Sequence, residues 1–109
     1  MDLFRPEENF AYDERLGIPL PALEREWEEY TLEEQARILL YWEGVRGRIP
    51  DRIFALEREI TDLQQRLDQE ENFEKVCGLS WEIADLASAI NDLHIYYRLN
   101  QDVAAKAHH

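Results

Sequence analysis

Apolar residues recur along the second half of this chain with the step of a helix seam. One stripe runs Ile49, Ile53, Leu56, Ile60, Leu63, Leu67, and a second runs Val76, Leu79, Ile83, Leu86, Ile90, Leu93, Tyr97. Both alternate threes and fours without a miss, which is the a/d spacing of paired helices. The polar segment Asp68-Gln69-Glu70-Glu71-Asn72 between them reads as a hairpin turn, with Asn72 as N-cap of the following helix. The pattern predicts an all-α protein built on an antiparallel, coiled-coil-like hairpin, with helices over about 51–70 and 73–101.

The first half is less periodic. Residues 1–20 read as an irregular acidic arm, pinned by Phe4, Phe10 and Tyr12. Gly17-Ile18-Pro19-Leu20-Pro21 reads as a rigid turn, because proline fixes φ and donates no amide hydrogen bond. Pro21 suits the first position of a short helix over 21–29, with Leu23, Trp27 and Tyr30 along one side. Thr31-Leu32-Glu33-Glu34 has the form of a capping box and predicts a second helix over 31–45. That helix offers two apolar stripes, through Leu32, Ala36, Leu39 and Trp42 and through Ile38, Trp42 and Val45, so cover on two sides is expected. Gly44, Gly47 and Pro50 end it or kink it. Residues 21–107 are thus expected to form one helical domain.

The last helix carries more than its seam. Phe73, Cys77, Ser80, Ala84, Ala87 and His94 form a second stripe of mostly small residues, and Trp81, Ile95 and Tyr96 add apolar groups beside it. A helix apolar nearly all round is a buried one. One hairpin partner cannot cover it, so the 31–45 helix or a second copy is expected against Cys77, Ser80, Trp81, Ala84, Ala87 and His94. A homodimer completing a helical bundle follows.

Charge narrows the partners. The formal charge of -12 over 109 residues disfavours nucleic acid and anionic membrane, both of which draw affinity from Lys and Arg. Nine acids against three arginines in residues 1–30 supply half of that imbalance. The single cysteine, Cys77, excludes an intrachain disulfide and fits a reducing, cytoplasmic compartment. No apolar run reaches the length of a membrane span, and the acidic N-terminus is unlike a signal peptide. The closing His108-His109 reads as a tag remnant and is set aside.

Candidate chemistry is sparse. No nucleophile–base pair, glycine-rich phosphate loop or His-containing metal set is present, and no cofactor is expected. The only basic concentration is Arg46, Arg48 and Arg52, which could seat an anion or a partner's carboxylates at the start of the long helix, or pair with the acidic arm. Glu82-Ile83-Ala84-Asp85 resembles the ExxD pair of all-α nucleoside-triphosphate pyrophosphohydrolases of the MazG type, where an ExxE pair joins it to hold magnesium. The resemblance covers four residues and implies a metal role for Glu82 and Asp85. Of the ExxE partners on offer, Glu71-x-x-Glu74 lies too close in sequence for a facing helix, and Glu26-x-x-Glu29 falls in a different, short helix. The leading expectation is a non-enzymatic helical interaction or scaffold protein. The alternative is a small metal-dependent nucleotide pyrophosphohydrolase.

Overall fold

A computed structural model describes residues 3–107, and side chains as far as residue 99. The expectation for His108-His109 lies outside the described residues. The chain is mostly helical and divides between Arg48 and Ile49 into two compact units.

In the first unit a 3-10 turn (Pro6–Asn9) leads into two short antiparallel strands, β1 (Phe10–Asp13) and β2 (Ile18–Pro21). A second 3-10 turn (Trp27–Glu29) precedes helix α1 (Leu32–Arg46). The strands correct the expectation of an irregular arm. They pair Phe10 with Pro21, Ala11 with Leu20, Tyr12 with Pro19 and Asp13 with Ile18. The Ala22 amide donates to the Asn9 carbonyl at 2.8 Å, so the bonded positions alternate from that pair. Pro19 and Pro21 then occupy non-bonded positions, where the missing amide hydrogen costs the ladder nothing. Gly17 closes the connection at φ 74, a left-handed conformation that glycine adopts without strain. Its amide reaches the Asp13 carbonyl at 2.7 Å, and the Asp13 carboxylate accepts from the Leu16 amide at 2.8 Å.

The helix expected over 21–29 is absent; only Trp27–Glu29 turns. Proline-fixed extension carries β2 through Pro21, and Ala22 is committed to Asn9, so the segment that would nucleate the helix is already bonded elsewhere. Tyr30 is the reason the rest follows. Its buried hydroxyl donates to Asn9 Oδ1 at 2.7 Å, while Asn9 Nδ2 donates to the Arg5 carbonyl at 3.3 Å. Phe4 meets the Tyr30 ring edge-on at 6.3 Å, and the Arg25 guanidinium lies 4.2 Å from its centroid. Phe10 packs on Tyr41 and stacks on Trp42. Phe4 and Phe10 do pin the arm; Tyr12 is exposed and does not.

Helix α1 starts on the expected capping box: Thr31 Oγ1 accepts from the Glu34 amide at 3.1 Å, and Glu34 Oε1 accepts from the Thr31 amide at 2.9 Å. Gln35 Nε2 ties this first turn to the Trp27 carbonyl at 2.8 Å. Ile38, Trp42 and Val45 are buried. Leu32, Ala36 and Leu39 are exposed, so within the first unit α1 is covered along one side and not two.

The second unit is a hairpin of α2 (Ile49–Gln69) and α3 (Phe73–Ala107). Pro50 sits in the first turn of α2, where its amide would have no helical partner. Asn72 caps α3, its Oδ1 accepting from the Lys75 amide at 3.1 Å. Ile49, Ile53, Leu56 and Leu63 of α2 are buried, as are Leu79, Ala89 and Leu93 of α3. Flanking seam residues such as Ile60, Leu67, Ile83 and Leu86 are half-buried. No helix among the described residues is long and apolar enough to cross a membrane.

Candidate interaction surface

The geometry of α3 separates two faces. At about 100° per residue, Leu93 lies directly opposite Ala84 around the helix. Leu93 is fully buried in the seam and Ala84 is exposed. Phe73, Cys77, Asn91 and Ile95 fall within about 20° of Ala84, Ser80 and Ser88 within about 40°, and Trp81 and Ala87 within about 60°. These nine positions hold no charged residue in a chain that is 33% charged. All are exposed except half-buried Cys77, with Phe73 at 77% and Trp81 at 72%. An exposed tryptophan and phenylalanine on an uncharged strip make this sector the candidate interaction surface, because charge is what solvated helix faces normally carry.

Within the second unit α3 is buried along the seam and exposed behind it. Ser88, Asn91 and Ile95 belong to the face together with the residues expected there. The signal for them was the absence of charge through one angular sector, not heptad spacing. His94 sits at the sector's edge. It lines a shallow, mostly apolar pocket of about 290 Å³ with Ile53, Phe54, Glu57 and Tyr97.

Glu82 and Asp85 line a different depression, of about 380 Å³, between the two helices. Across it stand Glu59 and Asp62 with Arg66. The antiparallel register sets an i,i+3 pair of α2 against an i,i+3 pair of α3. Glu71, Glu74, Glu26 and Glu29 do not line it. Among the described residues, no three acidic, histidine or cysteine groups are close enough to hold one metal ion.

The arginine segment is split. Arg46 ends α1, lies 3.7 Å from Glu43 and is largely buried. Arg48 is exposed in the turn after α1, its amide donating to the Val45 carbonyl at 3.0 Å. Arg46 and Arg48 belong to the first unit and Arg52 to the second.

No protein-family model, curated protein or solved structure matches the chain.

Proposed function

We propose that this chain is a non-enzymatic helical interaction or scaffold protein of the cytoplasm, which associates with a second copy of itself through the outer face of α3. The observation that carries this reading is the uncharged, exposed sector from Phe73 to Ile95. Trp81 is its natural anchor, since tryptophan dominates binding energy where it is buried at the centre of an interface. The -12 charge keeps nucleic acid and anionic lipid out of consideration as partners. The alternative, a metal-dependent nucleotide pyrophosphohydrolase, gains four carboxylates around one depression but no three of them within reach of one ion.

Sedimentation equilibrium at tens of micromolar tests the proposal. The wild-type chain is expected at twice its 13.0 kDa mass, and Trp81→Glu at the single mass with unchanged helical circular dichroism. A wild-type protein that stays at 13.0 kDa overturns self-association.

A further inference from the structure

The pocket that His94 lines lies wholly within the second unit, in the groove between α2 and α3. From its lining we infer that it binds a small quaternary ammonium, a cation whose charge is spread over alkyl groups. The inference stands apart from the self-association proposed above. Beneath the pocket are the aliphatic side chains of Ile49 and Ile53, both buried. Beside them stand the phenyl ring of Phe54, the phenol ring of Tyr97 and the imidazole of His94. Glu57 supplies the only carboxylate, and Arg52, Arg58 and Arg98 do not line the pocket. Helical spacing gathers these groups. Ile49, Ile53 and Glu57 recur at fours along α2, and His94 and Tyr97 are three apart on α3, so each set shares one side of its helix.

The lining selects among ligands. An aromatic face attracts a cation through its quadrupole, and Glu57 adds a full opposite charge. Among the described residues, the Glu57 carboxylate has no hydrogen-bond or ion-pair partner. An anion would meet that carboxylate with like charge. A neutral apolar ligand would cover it with hydrocarbon and strip its water without replacing it. A divalent metal ion needs several oxygen ligands, and one carboxylate does not supply them. A primary ammonium carries three N–H donors, more than this mostly apolar lining can accept. A quaternary ammonium has no donor to satisfy. Its alkyl groups lie against Ile49 and Ile53 while its charge faces Glu57 and the rings.

Size and charge agree with that choice. A volume of about 290 Å³ is at the small end for ligand pockets and suits a molecule of a few carbons. The chain's charge of -12 also raises the concentration of cations near its surface.

The test is a choline titration of the full chain, followed by amide and aromatic NMR at constant ionic strength. Ethanolamine and the uncharged isostere of choline, in which tert-butyl replaces trimethylammonium, run alongside. Choline is expected to give saturable shifts confined to Ile53, Phe54, Glu57, His94 and Tyr97. A dissociation constant of about 1–10 mM fits one carboxylate and weak ring contacts in a shallow pocket. Ethanolamine and the isostere are expected to bind about threefold more weakly, or less tightly still. Glu57 and Phe54 are exposed, so Glu57→Gln and Phe54→Leu keep the fold, which circular dichroism checks. Each is expected to weaken choline by about threefold, Phe54→Leu because it keeps apolar area and removes only the ring face. Shifts that never saturate, or that spread over the acidic surface, overturn the inference. So does an isostere that binds as well as choline, which would make the pocket a plain apolar hollow. Choline affinity unchanged in both variants overturns it as well.

Discussion

The two units of this protein close their cores by different means. The α2–α3 hairpin buries a repeated aliphatic seam, with Leu56 and Leu63 on α2 and Leu79 and Leu93 on α3 each doing the same job at a whole number of heptads along its helix. The first unit has no repeat. It is closed by a buried Tyr30–Asn9 hydrogen bond, by Phe10 on Tyr41 and Trp42, and by Arg25 over the Tyr30 ring. A seam distributes its stability over interchangeable positions, whereas a polar tie concentrates it in groups that must all be present.

Four substitutions set that difference against measurement, each read by urea denaturation at one fixed protein concentration. Leu93→Ala, at a fully buried seam position, is expected to cost about 2–5 kcal/mol, the range for a leucine truncated in a packed core. A cost below that of the tyrosine change would mean that the seam is not what holds the hairpin. Tyr30→Phe removes only a hydroxyl yet strands the Asn9 Oδ1 acceptor, so a loss of about 1–3 kcal/mol is expected. A silent Tyr30→Phe would show that the aromatic packing alone closes the first unit. The smallest effect is the one that should not distinguish the units. Thr31→Ala and Asn72→Ala each delete a helix N-cap and are expected to cost about 1 kcal/mol. A cap worth far more in one unit than in the other would mean that it also anchors tertiary structure there.

The same contrast explains what could be read from the chain beforehand. The hairpin was legible because periodic burial writes itself into spacing, and the two caps were legible because they are local: Thr31 with Glu34, Asn72 with Lys75. The strands were not. Each is four residues long, with no clean alternation, and β2 is half proline, which reads as a turn until Asn9 and Tyr30 are seen to hold it. That bond spans 21 positions, and no local pattern announces it. Ala89 was missed because a small residue beside a leucine seam looks incidental until it is found almost wholly buried. The outer face of α3 was legible as apolar but not as exposed within its own unit. Spacing records which side chains avoid water, and says nothing of what covers them. The segment of Arg46, Arg48 and Arg52 was legible only as a run of charge; the chain divides within it, between Arg48 and Ile49.

The prolines of β2 bear on how this chain can meet others. Strand addition needs a row of outward-facing amide donors, and the non-bonded positions of β2 that would supply them are Pro19 and Pro21. That edge is mute as a template: a passing extended segment finds carbonyls there but no N–H to complete a ladder. Along β2 the route to runaway, non-closing strand assembly is thereby silenced.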